Sequence, residues 1–244
     1  MSKSVSIIVS CFNKTHVSAH MSMLCLDHIR KFTDPPYELI VIDPIPKEPI
    51  RDDYKTLGLP QFRIDPPEYG IKTKNDLTWV KLKKDPGYAR GMNMGSELAK
   101  GDVLVFIQND VFVREGWLTG LLYYIEKGFE IVYPDQAPRD RKYVVDSYAR
   151  SWDDADAMKG SRDEGLIMIT RQAFDRLGRW NEKLSLLVNA DFLEKFHTIP
   201  VKWTDTNKVM ITHITAGTNL QTLENDPKEY ERKMKHDSRI RKKK

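Results

Sequence analysis

Apolar residues along this chain gather in short, nearly unbroken runs separated by segments of helical spacing. SVSIIVSCF (4–12), YELIVIDP (37–44) and DVLVFIQND (102–110) each carry the continuous apolar stretch expected of a strand buried on both faces. LTWVKLKK (77–84) reads as a further strand. After the first run, Met21, Leu24, Cys25, His28 and Ile29 share one helical stripe, with Ser18 placed to cap its start. PGYARGMNMGSELAKG (86–101) reads as a glycine turn entering a helix that stops at Gly101. The second half predicts a helix over 115–128, a strand over 129–134, and a strand then a helix over 165–178. A short helix over NADFLEKFHT (189–198), a short strand VKW (201–203) and a strand in VMITHITAGT (209–218) follow. Two stretches carry no period: 45–76, rich in proline and charge, and the polar 135–163.

Alternation of this kind calls for an α/β fold with a mostly parallel central sheet flanked by helices. Ligands in such sheets bind beyond the carboxyl ends of the strands. Topology alone therefore brings Phe12 and Asn13, Asp43, and Gln108, Asn109 and Asp110 to one edge. A buried strand that stops on two amides and a carboxylate must either satisfy those groups or use them.

Composition and charge narrow the function. With 40% hydrophobic and 30% charged residues among 244, the chain has the make-up of a globular protein with an ample core. No apolar run approaches the roughly 20 residues of a membrane span, and because a strand is read from Ser4, no signal peptide is expected. Two cysteines, Cys11 and Cys25, form neither a disulfide framework nor a metal knuckle, so a cytoplasmic setting is expected. The net charge of +4 is unevenly placed: residues 228–244 alone carry +6, which leaves the rest at −2. A net-acidic body without an aromatic–basic reading motif argues against nucleic acid as partner. The basic tail suits peripheral contact with an anionic membrane face.

The order of these pieces resembles glycosyltransferase family 2, whose members have the GT-A (Rossmann-like) fold. SIIVSCFNK resembles the family's opening strand and turn, and ELIVID its second strand ending in an acid. GYARGMNMGSELAKGDVLVFIQND resembles the Gly-x-Ala-x-x-x-Asn-x-Gly helix followed by the strand with a DxD-type end. GLIMITRQAFDRLGRWNEKL, NADF, VKW and HITAGT resemble the acceptor-side segment. The resemblance covers about residues 4–218. It implies one GT-A domain over 1–220, with a nucleotide half to about 112 and a smaller acceptor half from about 113, followed by a charged tail over 221–244.

The implied activity is transfer of a sugar, with inversion, from a nucleoside-diphosphate sugar to a hydroxyl acceptor, assisted by Mn²⁺ or Mg²⁺. Negative charge builds on the departing diphosphate, and a divalent ion neutralises it. Asp110 resembles the metal-binding end of the DxD-type motif, with Gln108 at its leading position. His213 resembles the family histidine that returns to the metal or diphosphate. The donor-binding set implied is Phe12, Asn13, Asp43, Arg90, Asn93, Gln108 and Asn109. On the acceptor side, Asn189 stands at the family's usual base position and Asp191 at the second acidic one. An amide accepts no proton, so Asp191 is the expected base. Trp152 is a candidate sugar platform, for which ordinary packing is the plainer reading. The literal Asp154-x-Asp156 has no strand before it and reads as a solvated acidic face. Two alternatives remain: a catalytically impaired sugar-nucleotide or glycan-binding relative, and a nucleotidyltransferase.

Overall fold

The computed structural model describes residues 3–11, 16–44, 70–136, 161–162, 165–213 and 227–242. Phe12, Asn13, Trp152 and the acidic run 153–156 lie outside the described residues. The continuous apolar runs form the central strands: β1 (Val5–Ser10), β2 (Glu38–Pro44), β4 (Leu77–Leu82) and β5 (Val103–Gln108). All four are mutually parallel in the order β4-β2-β1-β5. Their central residues Ile7, Ile8, Ile40, Val41, Val105 and Phe106 are completely buried, at roughly 1.5–3 kcal/mol of favourable transfer per side chain.

Beyond β5 the sheet continues through β9 (Leu166–Thr170), antiparallel to β5, then β7 (Ile131–Gln136), and β10 (Trp203–His213) parallel to β7. The two-residue strands β6 (Val111–Phe112) and β8 (Ser161–Arg162) attach to β10 and β7. Strands from both halves thus share one sheet. Helices cover both faces. α1 (His16–Phe32) and α3 (Trp117–Glu126) pack in the cluster of Ile7, Val9, Val105 and Ile107. α2 (Tyr88–Leu98), α4 (Arg171–Arg176) and α5 (Val188–Thr198) pack in the cluster of Ile8, Leu104 and Phe106. A last helix, α6 (Pro227–Arg241), leans on that second cluster through Ile240.

Three elements differ from the sequence reading. The irregular stretch 45–76 contains β3 (Gly70–Lys74), which pairs antiparallel with β4. All five of its residues are exposed, so no apolar alternation advertised it. Trp203 of the expected strand 201–203 and residues 209–213 of the stretch 209–218 belong to one strand, β10, whose register shifts between Thr206 and Met210; residues 214–218 lie outside the described residues. That irregularity supplies the polar interruption that made it look like two. α1 begins at His16, so Ser18 sits inside the helix, where its carbonyl accepts the Ser22 hydroxyl at 3.0 Å. Among the described residues, no helix is long and apolar enough to cross a membrane.

Candidate active site

The parallel strands deliver their polar ends in register. Ser10 pairs with Ile42 on one side and Gln108 on the other, and Asp43 pairs with Lys81. Asp43 is wholly buried, and its Oδ2 accepts from Trp79 Nε1 at 3.0 Å and Lys81 Nζ at 2.6 Å. Asp43 was named from the sequence, and its partners Trp79 and Lys81 were not. Their signal was present, because Trp79 and Lys81 are two apart on one strand and therefore share a face.

The helix motif also takes on physical meaning. α2 follows Gly87, whose φ of 79° favours glycine. A Cβ at Gly95 would collide with the side chain of Ile8, and one at Gly91 would lie 2.5 Å from Ser10 Oγ. The glycines let α2 lie directly on β1. Asn93 is buried and fastens the helix to the segment that follows α4. Its Nδ2 donates to Trp180 O at 3.0 Å and Glu182 Oε1 at 2.9 Å, and its Oδ1 accepts from the Trp180 amide at 3.1 Å. Arg90 stays exposed on the same helix.

β5 ends at Gln108, and Asn109 and Asp110 form the turn into β6. Asn109 ties this turn to α1, its Nδ2 donating to Ser22 Oγ at 2.8 Å and Ser18 O at 3.3 Å. Asp110 faces another way. β6 pairs antiparallel with the end of β10, Val111 opposite His213. His213 Nε2 consequently lies 3.3 Å from Asp110 Oδ1, both side chains about one-tenth exposed. Arg114 donates to Thr212 Oγ1 at 3.1 Å and steadies the same strand end. A carboxylate oxygen and an imidazole nitrogen at this distance fit a divalent ion that keeps its other positions for phosphate oxygens and water. No group of three or more potential metal-ligating residues occurs among the described residues. Beneath this edge, burial first of all pushes the thiols of Cys11 and Cys25 well up, so both are inert packing residues.

Asp191 occupies the first turn of α5 and is 1% exposed, whereas Asn189 is half-buried. Next to it, Phe192 stacks on Trp180 with centroids 4.1 Å apart, and Trp180 meets Tyr88 edge-on at 5.8 Å. This aromatic chain joins the start of α5 to the start of α2, at the edge where the strands end.

Residues 68–182 match the family model described as glycosyl transferase family 2. Over that segment the chain is similar to glycosyltransferase family 2. The motifs whose geometry is given above, from β4 through Glu182, lie inside it. Comparison with curated protein sequences finds no match. Among solved structures, the chain is similar to the mannosyltransferase PcManGT from Pyrobaculum calidifontis, solved with GDP-Man and Mn²⁺. The identity is 16% and the TM-score 0.62, over 92% of this chain and 61% of that one. It is also similar to S. aureus TarS 1–349, with 11% identity and TM-score 0.58 over 87% and 61% of the two chains. A third similar structure is GalNAc-T7 with UDP, GalNAc and Mn²⁺, with 17% identity and TM-score 0.60 over 86% and 44%. These likenesses establish the GT-A-like fold. The chain spans about three fifths or less of each of those proteins.

Proposed function

We propose that this protein transfers a sugar from a nucleoside-diphosphate sugar to a hydroxyl acceptor, with inversion at the anomeric carbon. The observation that carries the proposal is the Asp110–His213 pair, assembled by the β6–β10 pairing at the carboxyl edge of the parallel strands. PcManGT with GDP-Man and Mn²⁺, and GalNAc-T7 with UDP and Mn²⁺, support the same donor class and ion for this chain.

In this reading Asp43, held by Trp79 and Lys81, faces the nucleoside, and Arg90 and Gln108 flank the donor. Asp110 and His213 would hold Mn²⁺ or Mg²⁺, which when bound would supply positive charge against the departing diphosphate. Asp191 takes the proton from the attacking hydroxyl, and attack opposite the leaving group inverts the centre. The exposed lysines and arginines of α6 suit an acceptor presented at an anionic membrane surface.

Asn189 favours a second reading, a sugar-nucleotide-binding relative that does not turn over. The family match leaves no observation in favour of a nucleotidyltransferase. A calorimetric screen of GDP- and UDP-sugars, with and without Mn²⁺, followed by assay of nucleotide release, separates the two. Mn²⁺-dependent binding with release supports transfer, and binding without release supports the second reading. Absence of all nucleotide binding refutes both.

A further inference from the structure

The helix that carries Asp191 starts without a cap of its own. Leu187, the residue before α5, is aliphatic and makes no side-chain hydrogen bond to the helix start. The three amides leading into α5 nevertheless have a partner. Ser185, Leu186 and Leu187 all donate to one oxygen, Asp237 Oδ2, at 2.9, 2.7 and 3.0 Å. Asp237 lies in α6, far along the chain, and is completely buried. Its other oxygen is 3.1 Å from His236 Nδ1. Three successive backbone N–H groups converging on a carboxylate make a strong, directional anchor.

A second tether lies further along the same helix, where Arg241 of α6 pairs with Glu194 of α5. Between the two sits Asp191, whose amide donates to Leu187 O at 2.9 Å. Leu187 therefore gives its N–H to Asp237 and its carbonyl to Asp191. Because Asp191 is 1% exposed, its carboxylate is aimed by the placement of α5 more than by its own rotamers.

We propose that Asp237 is a positioning residue for the transfer reaction: the C-terminal helix completes the start of α5 and sets where Asp191 stands. The proposal rests on the reading of Asp191 as base. A displacement of about 1 Å at a reacting group costs on the order of a hundredfold in rate, so a lost anchor shows in turnover before it shows in donor binding. It also makes the tail helix part of the working enzyme, over and above any surface contact it makes.

The test uses the full chain with Asp237→Ala and Asp237→Asn. Nucleotide affinity is measured with GDP and UDP plus Mn²⁺, and turnover as Mn²⁺-dependent hydrolysis of GDP-mannose and UDP-N-acetylgalactosamine. Amide exchange is followed at residues 185–191 and in β1 and β5. Expected for Asp237→Ala are a 10–100-fold fall in kcat, nucleotide Kd within twofold of wild type, and faster exchange confined to 185–191. Asp237→Asn keeps an acceptor oxygen and should recover most of the rate. Combined with Asp191→Asn, Asp237→Ala should add nothing further. Wild-type turnover in Asp237→Ala, an additive effect with Asp191→Asn, or a parallel loss of Kd and of β1 and β5 protection overturns the proposal. A wild-type protein that binds no nucleotide refutes the functional reading instead. The exchange experiment still decides the anchor in that case: unchanged protection at 185–191 in Asp237→Ala removes it.

Discussion

His213 Nε2 stands 3.3 Å from Asp110 Oδ1, although the two residues come from opposite halves of the chain. A two-residue bridge between β6 and β10 is enough to fix them, because Val111 pairs directly with His213. If both hold one ion, their effects on it are coupled. Asp110→Asn and His213→Ala should each weaken Mn²⁺-dependent nucleotide binding about tenfold or more, roughly 1.4 kcal/mol. The double variant should be little weaker than the worse single one. Titration calorimetry with GDP and UDP, with and without Mn²⁺, reads this. Fully additive losses, or none, count against a shared ion.

The Asp43–Lys81 pair gives a separate test of the proposed nucleoside end. Asp43 is fully buried, so removing the ammonium leaves its charge with only part of its compensation. Lys81→Met should cost roughly 2 kcal/mol of stability, discounted for the partial exposure of Lys81. Nucleotide affinity should fall more than metal affinity does. Denaturant unfolding and nucleotide titration together check it, and an unchanged unfolding midpoint would show that the pair does not support the fold.

Acid should loosen the tail helix before the sheet. Burial alone would push Asp237 up, but the hydrogen bonds from Leu187, Leu186, His236 and Ser185 outweigh it and leave its carboxyl below the ordinary range. A depressed carboxyl contributes stability that is whole above its unfolded value, about 3.9. That stability is lost as pH falls through the lower folded value. Amide protection at residues 185–187 should therefore hold down to about pH 4 and collapse below it, while Asp237→Asn should remove that step. Fluorescence or exchange measured from pH 6 to pH 2 follows it.

Asp135 carries the opposite sign. Burial first, and then the nearby Asp205 carboxylate, raise it above its ordinary value. Its ionised form therefore costs stability at neutral pH. Asp135→Asn should raise Tm by about 1–2 °C at pH 7. The gain should vanish below about pH 4, where the unfolded chain is protonated as well. A drop in Tm at pH 7 would mean that the carboxylate makes a favourable contact that these forces do not account for.

What the sequence disclosed follows from which forces leave a pattern. Strands buried on both faces had to be apolar throughout, so β1, β2 and β5 were plain in the residues. The glycine-rich helix was equally plain, because close approach to β1 excludes side chains at Gly91 and Gly95. An exposed edge strand such as β3 bears no such constraint and left no trace. The neighbourhood of Asp110 and His213 was suggested by family resemblance alone, since only the β6–β10 pairing creates it. Asp237 was illegible for a different reason. A single aspartate in a basic helix looks solvated, and its burial depends on amides that any sequence provides.

The identity of the base is the decisive test of turnover. Asp191 is buried in the first turn of α5, and its neighbour Phe192 stacks on Trp180, which in turn meets Tyr88 of α2. Asn189 is two residues earlier, so the two side chains leave the helix about 200° apart, and one substitution does not stand in for the other. Asp191→Asn should lower Mn²⁺-dependent hydrolysis and transfer by about 10²–10⁴-fold, with nucleotide Kd unchanged. Asn189→Asp in the wild-type background should leave the rate within a few-fold. Asn189→Asp together with Asp191→Asn should stay inactive. Full activity in Asp191→Asn would move the base elsewhere. Recovery in the double variant would instead show that position 189, as in the family pattern, faces the acceptor.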